Sequence, residues 1–446
     1  MSRIERHIKT LLITLLAAVA VISCQPDWTA DLEPDLTIGH GNAGSRETNE
    51  ETRKVMLLYS AGFNSLSSYL KSDIEDLKSG WIPDGRRPED IILVYSHFPG
   101  KDKYRTQTQP SLVRLYLDKD SEVVSDTLVI YPEGTISASA EQVNDVLTYV
   151  KENFQAKSYG MIFSSHATGY LPAGYYNKTE GSSSNLEWKS RRYRGAVAVP
   201  YEEPEHAPSL PMVKSIGQDQ VGEPGAYVSY EIELSDFADA IPMHLDYLLF
   251  DACLMGGIEV AYELKEKVGK VGFSQTEVLA EGYCYSSLAH HLLEGTESDP
   301  QSVCEDFYNQ YAEQNGVYQS ATISLIDCSE LTPLADVCKE LFEKYREEIS
   351  TVEPSIVQQF FRGKKHWFYD LESILINAGI TESELSSLHE SLDKCVIYKA
   401  HTPMFMNEFE IHTFSGFSMY LPSSGSKTVD EFYKGLKWNQ DTGLVI

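Results

Sequence analysis

The feature that most constrains the fold is an apolar run that ends in Asp-x-Cys. Residues 247–250 read Tyr-Leu-Leu-Phe and are followed by Asp251, Ala252 and Cys253, then by two glycines and a helix-like segment. An uninterrupted apolar run of this kind is typical of a strand buried on both faces of a parallel sheet. Because α/β proteins place their chemistry at the carboxyl ends of such strands, Cys253 is predicted to lie at a functional edge.

A second segment repeats this pattern and ends in a histidine. Residues 160–163 read Gly-Met-Ile-Phe and are followed by Ser164, Ser165 and His166. Neighbouring strands that deliver a cysteine and a histidine to one edge would place a nucleophile beside its base. Each residue alone also has an ordinary explanation, as a buried thiol or as a hydrogen-bonded histidine at a strand end. The prediction of a Cys253–His166 dyad therefore rests on the pair.

Strand and helix patterns alternate along much of the chain. Apolar strand patterns occur at 55–61 and 91–96. An exposed hairpin pattern follows at 112–117 and 126–131, and a helical spacing at 138–154. This βαβ rhythm predicts an α/β fold with a mostly parallel sheet flanked by helices. About 420 residues remain after the N-terminal leader, too many for one ordinary core. We expect a catalytic domain at 53–300 and a smaller α+β subdomain at 301–446.

Residues 171–230 interrupt the alternation of strands and helices. They contain a run of serines, then Lys189, Arg191, Arg192 and Arg194, then proline-rich sequence. A long insertion without periodicity is typically a functional loop or a mobile one. Exposed basic residues in such a loop suit a protease cut site. A solvated loop whose cations offset an acidic surface explains the composition equally well.

The N-terminus has the pattern of an export signal. Basic residues precede an apolar stretch at 11–22, which is too short to span a bilayer as a helix. The stretch ends in Val-Ile-Ser-Cys24, which resembles the lipobox of bacterial lipoproteins. We therefore expect a signal peptide at 1–23, a lipid on Cys24 and a flexible tether at 24–52. The protein would then be exported and anchored to a bacterial outer membrane or cell surface. An ordinary secretory signal with an accidental cysteine is the alternative.

Charge and cysteine content restrict the partners. The net charge of −29 argues against binding nucleic acid through phosphates and is compatible with attracting basic peptides. No CxxC pair or Cys/His cluster with zinc spacing occurs, so no metal site is predicted. Six cysteines remain besides Cys24, an even number that leaves disulfides open. One such alternative is an oxidised Cys253 paired with Cys284.

Together the motifs resemble the clostripain family of cysteine peptidases. Ser-His-x-x-Gly at 165–169 and Phe-Asp-Ala-Cys-Leu-Met-Gly at 250–256 carry the resemblance. Further similar segments lie in the same order along residues 54–422, at 215–219, 274–277 and 415–422. The resemblance implies a caspase-like fold and cleavage after arginine or, less often, lysine.

The resemblance also implies a mechanism. Cys253 would attack the scissile carbonyl, and His166 would act first as base and then as acid toward the leaving amine. Backbone N–H groups of Cys253 and Ala167 would stabilise the oxyanion. Family members commonly have glycine where Ala167 stands, and alanine adopts fewer backbone conformations.

Recognition of a basic side chain requires a buried carboxylate. Asp251 matches the family's acid two residues before the nucleophile and is the leading candidate; the alternative is that it satisfies backbone donors at the strand end. At the position of the family's second acid this chain has Cys284. Glu277 and Glu281 are the candidates to replace that acid.

The family habit of self-cleavage between the two strands implies Lys189, Arg191, Arg192 and Arg194 as targets. Some members need calcium, so calcium is a possible cofactor by resemblance, although no EF-hand loop occurs. We expect a monomeric cysteine endopeptidase acting on proteins or peptides with basic residues. The alternative is a non-catalytic binding lipoprotein of the cell surface on the same fold.

Overall fold

A nine-stranded sheet forms the centre of the protein, and five of its strands are parallel. The computed structural model describes residues 52–86, 89–100, 108–175, 192–193, 195–200, 213–214, 218–221, 228–363 and 366–446. The parallel strands lie in the spatial order β12 (Val268–Phe273), β11 (Leu245–Asp251), β5 (Ala156–Ser164), β1 (Thr52–Ala61) and β2 (Asp90–His97). Their apolar side chains are buried, as expected of strands covered on both faces. The predicted mostly parallel α/β sheet is confirmed.

Antiparallel strands extend the sheet at both edges. β3 (Ser111–Leu117) and β4 (Val123–Ile130) form the hairpin expected from the sequence and follow β2 in the sheet. β14 (Thr322–Asp327) and β16 (Val396–His401) extend the other edge beyond β12. Residues 50–446 form one compact unit. The expected boundary at residue 300 therefore falls between strands of a single sheet.

The described part of the chain also contains α-helices. They are α1 (Ser67–Ser79), α2 (Ala140–Asn153), α3 (Leu234–Ala240), α4 (Ile258–Leu264), α5 (Tyr285–Leu293), α6 (Pro300–Ala312), α7 (Leu331–Lys344), α8 (Arg346–Thr351), α9 (Leu371–Asn377), α10 (Glu382–Cys395), α11 (Lys427–Tyr433) and α12 (Lys437–Thr442). In α2, the Ser139 hydroxyl caps the first turn by accepting from Gln142 N–H. Its side chains at helical spacing, Val143, Val146 and Val150, are buried.

Part of the 171–230 insertion forms a small antiparallel sheet, which differs from the expected loop. Its order is β6 (Arg192–Tyr193), β7 (Ala196–Pro200), β10 (Val228–Glu231) and β9 (Gln218–Val221). The buried side chains of Gln218, Ser229 and Glu231 are polar and hydrogen-bond one another. Because β9 and β10 bury these polar side chains, hydrophobic periodicity did not reveal those two strands.

Short strand pairs complete the described elements. β8 (Val213–Lys214) pairs with β13 (Val278–Leu279), β15 (Tyr369–Asp370) with β19 (Ser418–Met419), and β17 (Met404–Phe405) with β18 (Phe409–Glu410). The expected signal peptide at 1–23, Cys24 and nearly all of the tether at 24–52 lie outside the described residues. Within the described residues, no helix combines the length and apolar character needed to cross a bilayer.

Candidate active site

The strand order creates a crevice beside the two motif-bearing strands. The chain runs from β1 to β2 on one side and later places β5 and β11 on the other side of β1. Such a reversal opens a crevice at the carboxyl ends of the strands, where α/β proteins bind ligands. β5 and β11 are parallel neighbours in which Asp251 pairs with Ser164. His166 and Cys253 therefore each lie two residues beyond the last paired position, at the same edge of the sheet.

Cys253 is fully buried at the start of a strained turn. Its Sγ accepts a hydrogen bond from Val278 N–H at 3.1 Å and donates one to Val278 O at 3.8 Å. The next residue, Leu254, has φ 61°, in the left-handed region that bulky residues rarely adopt. Its N–H donates to Thr276 O at 2.9 Å, which holds the turn in place. Such strain is common at functional sites.

His166 is held against the end of β1. Its side chain is 3% exposed, and Nε2 lies 3.2 Å from Ser65 Oγ. The neighbouring Ser165 hydroxyl donates to Ala61 O at 2.8 Å. These two contacts tie the histidine segment to the loop after β1 and restrict the imidazole orientation. Ser65 carried no recognisable motif in the sequence.

Ala167, the candidate oxyanion donor, has a backbone that alanine tolerates. The non-glycine residues with positive φ in the described chain are Ser121, Leu254, Met406 and Asn407. Ala167 is not among them, so this position does not require glycine. A mainly apolar pocket adjoins His166 and Ala167, and Met255 and the buried Glu231 also line it.

Gly169 is where the histidine and cysteine segments pack backbone against backbone. It has φ 63°, and a Cβ there would lie 2.5 Å from Leu254 O and 2.9 Å from a ring carbon of Phe368. We expect Gly169→Ala to lower the free energy of unfolding by about 3 kcal/mol and to lower activity, because the strained turn after Cys253 must shift. Urea denaturation and peptide turnover measure the two effects.

The matched control for this change is Gly379→Ala. Gly379 also has a positive φ, 88°, but a Cβ there would meet nothing within 4 Å. Gly379→Ala should lower the free energy of unfolding by about 1 kcal/mol, from the backbone conformation alone, and should leave activity unchanged. Equal costs at the two positions would contradict the close packing of the two segments.

The predicted acids occupy three different environments. Asp251 is fully buried and accepts hydrogen bonds from Ser164 Oγ at 2.9 Å and Tyr285 OH at 2.6 Å. Burial, followed by the charge of Asp251, holds the pKa of Tyr285 well above its usual value. Glu281 is exposed and lines an open cleft of about 1180 Å³ together with Cys284 and Tyr285. Tyr285 thus both lines this cleft and binds Asp251.

Glu277 already binds a guanidinium of its own chain. Arg362 Nε donates to Glu277 Oε2 at 2.6 Å, and Arg362 Nη2 donates to Oε1 at 3.0 Å. Glu277 immediately precedes Val278, the residue whose N–H contacts the Cys253 sulfur. Nothing in the sequence pattern indicated Arg362, because the pair joins positions 85 residues apart.

Comparison with known proteins decides the family. The clostripain family model matches residues 58–182 and 204–443, a span that includes His166 and Cys253. The chain belongs to the clostripain family. Clostripain of Hathewaya histolytica is 23% identical over 291 residues, which are 62% of this chain and 48% of that protein. The chain therefore spans about half the length of that curated relative.

Solved structures of C11 proteases share the fold. An inactive zymogen C11 protease from Parabacteroides distasonis is 26% identical, with a TM-score of 0.68 covering 88% of this chain and 98% of that one. A secreted C11 cysteine protease from Bacteroides thetaiotaomicron is 23% identical, with a TM-score of 0.68 covering 88% and 99%. The caspase-like architecture expected of a clostripain relative is thus confirmed.

The described residues bear on three expectations for this clostripain-family chain: the self-cleavage residues, the disulfide and the metal site. Lys189, Arg191 and Arg194 lie outside them, and Arg192 begins β6 without a described side chain. The described cysteines, including Cys253 and Cys284, are free thiols, so a disulfide between these two is not present. The described ranges contain no group of three or more His, Cys, Asp or Glu that could hold a metal ion.

Proposed function

We propose that this clostripain-family protein is a cysteine endopeptidase whose nucleophile is Cys253 and whose base is His166. The observation that carries the proposal is the β5–β11 register, in which Asp251 pairs with Ser164, so that both strands end at the same edge of the sheet. The hydrogen bond from Val278 N–H to the Cys253 sulfur supports a fixed position for the nucleophile. The contact between Ser65 and His166 supports a fixed imidazole.

The proposed reaction proceeds through a thioester. His166 takes the Cys253 thiol proton, and the sulfur attacks the scissile carbonyl carbon to form a tetrahedral oxyanion. The N–H groups of Cys253 and Ala167 donate to that oxygen. The C–N bond then breaks as His166 gives the proton to the leaving amine. A water molecule, deprotonated by His166, attacks the thioester and releases the peptide acid and the thiol.

The proposed specificity is for arginine or lysine before the cleaved bond. Glu277 supports it, because a buried carboxylate that holds one guanidinium in a bidentate geometry can hold another. Asp251 would add negative charge at the strand end, where Ser164 and Tyr285 fix its carboxylate. Glu281 would act at the rim, since its side chain is exposed.

Self-processing and membrane anchoring form the remaining parts of the proposal. Cleavage would fall in residues 171–230 after Lys189, Arg191, Arg192 or Arg194. The protein would be exported and held to an outer membrane or cell surface by a lipid on Cys24, in line with the description of the Bacteroides relative as secreted. It would act as a monomer on proteins or peptides that carry basic residues.

Two observations are also compatible with a second candidate, a surface lipoprotein that binds without turnover. Cys253 is fully buried, and Arg362 occupies Glu277. A site closed in this way fits either a peptidase that opens on binding its substrate or a binding protein that never opens. Labelling of the Cys253 thiol by an alkylating agent separates the two.

The test compares the protein beginning at residue 25 with its Cys253→Ala variant. Both are incubated with fluorogenic peptides carrying Arg, Lys, Asp or Leu before the scissile bond and are then run on a denaturing gel. We expect turnover after Arg and Lys, a loss of at least about 10³-fold in the variant, and fragments from 171–230 in the unsubstituted protein alone.

Other outcomes of this experiment contradict separate parts of the proposal. Turnover retained in Cys253→Ala would exclude the dyad. Turnover after Leu rather than Arg or Lys would keep the dyad and remove the basic specificity. No turnover together with no thiol labelling would favour the binding lipoprotein.

A further inference from the structure

We propose that Arg362 is an internal occupant of the substrate-binding acid Glu277, so that a basic substrate side chain binds by displacing Arg362. This inference rests on the proposed function and adds to it a specificity-determining residue. Arg362 would set how strongly an arginine or lysine must bind before the site accepts it. Peptides with an apolar residue at that position would not compete with Arg362.

The geometry of the pair is that of ligand recognition rather than a loose surface contact. Two parallel N–H···O bonds join the guanidinium and the carboxylate, at 2.6 and 3.0 Å. The Glu277 side chain is 7% exposed, so Arg362 contacts it largely out of solvent. Removing one member of such a buried pair is strongly unfavourable, whereas exchanging one cation for another is much less costly. The site therefore selects for a replacement cation.

The pair lies beside the proposed nucleophile. Glu277 and Val278 are adjacent in the chain, and Val278 N–H contacts the Cys253 sulfur. Burial acts to lower the pKa of Arg362, but the hydrogen bonds and charge of Glu277, and then the charge of Cys253, raise it overall. The carboxylate that holds the guanidinium is therefore one residue away from the backbone group that contacts the sulfur.

Arg362 is placed so that it can leave without unfolding its surroundings. Its side chain is 24% exposed, and within the described residues both hydrogen bonds of its guanidinium go to Glu277. Backbone contacts join the two ends of the segment that carries Arg362: Phe360 N–H donates to Phe368 O at 2.9 Å, and Gln359 pairs with Tyr369. Rotation of the Arg362 side chain toward solvent frees Glu277 and leaves these backbone contacts intact.

The experiment measures peptide binding without turnover. In the full-length protein carrying Cys253→Ala, a fluorescent peptide with Arg and its Leu counterpart are titrated by anisotropy, with and without Arg362→Ala. We expect Arg362→Ala to lower the Kd of the Arg peptide about tenfold and to leave that of the Leu peptide unchanged. Arg362→Lys, which keeps the charge but loses the planar fork, should fall between the two.

Two controls accompany the titration. Arg86→Ala removes an exposed arginine that pairs with Asp84 and should change neither affinity. Adding Glu277→Gln to Arg362→Ala should lower the preference for Arg, because the acid that Arg362 vacates is then gone. Circular dichroism and urea denaturation establish that each variant is folded; if Arg362→Ala is not, Arg362→Lys decides.

The possible results separate this inference from the peptidase proposal. The inference would be overturned if the Kd of the Arg peptide were unchanged or raised in folded Arg362→Ala, because removing a competitor must improve binding. If Arg362→Ala is unfolded, the same result in Arg362→Lys would overturn it. Equal changes for the Arg and Leu peptides would overturn it too. Absence of turnover in the protein with an intact Cys253 would overturn the peptidase proposal and leave the binding result standing.

Discussion

His166→Ala is expected to lower kcat/KM for a cleaved peptide by about 10⁴-fold, the upper range for loss of a positioned general base and acid. The proposed imidazole both removes the Cys253 proton and supplies one to the leaving amine, so alanine leaves both transfers to water. The remaining activity should increase toward high pH, where the thiol ionises without help. Steady-state turnover of an Arg peptide from pH 6 to pH 10 measures both effects.

The matched control is His244→Ala. His244 is 60% exposed and directly precedes β11, so it lies at the end of that strand opposite to Cys253. Its loss should leave kcat/KM and the pH profile unchanged. A small loss in His166→Ala, of tenfold or less, would mean that another group serves as the base and would contradict the dyad.

The second large effect concerns the pH dependence of stability. Glu259 in α4 is fully buried, and burial raises its pKa to about 7 although the Tyr420 N–H and the Tyr433 hydroxyl donate to its carboxylate. The folded protein therefore keeps a proton that the unfolded chain releases above its ordinary pKa of 4.5. Stability should fall as pH rises from about 4.5 to 7, by about 3 kcal/mol in all.

Glu259→Gln should remove most of this pH dependence, because the amide keeps the shape of the side chain and cannot ionise. Urea denaturation at pH 5 and pH 8 measures it. Some dependence should remain, since burial also raises the pKa of Asp370 to about 6. Glu340→Gln, on an exposed position of α7, should behave like the unsubstituted protein. An equally steep loss of stability in Glu259→Gln would show that this carboxyl is not responsible.

The sequence was sufficient to place Cys253 and His166 at one edge of a mostly parallel sheet. Long apolar runs identify buried parallel strands, and the polar residue that follows each run marks its carboxyl end. The same signal failed for the small sheet in the 171–230 insertion. There, Gln218, Ser229 and Glu231 are buried through hydrogen bonds to one another, so β9 and β10 lack an apolar pattern.

The acids show a different limit of sequence reasoning. Glu277 could be named as a candidate, but its partner Arg362 could not, since a salt bridge across 85 residues leaves no local pattern. Asp251 could be placed at a strand end, but its hydrogen bond from Tyr285 depends on how α5 packs onto the sheet. Contacts of this kind are fixed by tertiary structure.

The pairing of β5 with β11 has a consequence for any protein cut between them. The insertion joins these two strands along the chain, yet in the sheet they are adjacent, hydrogen-bonded from Gly160 and Tyr247 to Ser164 and Asp251. A nick in residues 171–230 would therefore produce a two-chain heterodimer whose halves share one continuous sheet. The two polypeptides would each supply one member of the Cys–His pair, and neither could dissociate without exposing a buried strand.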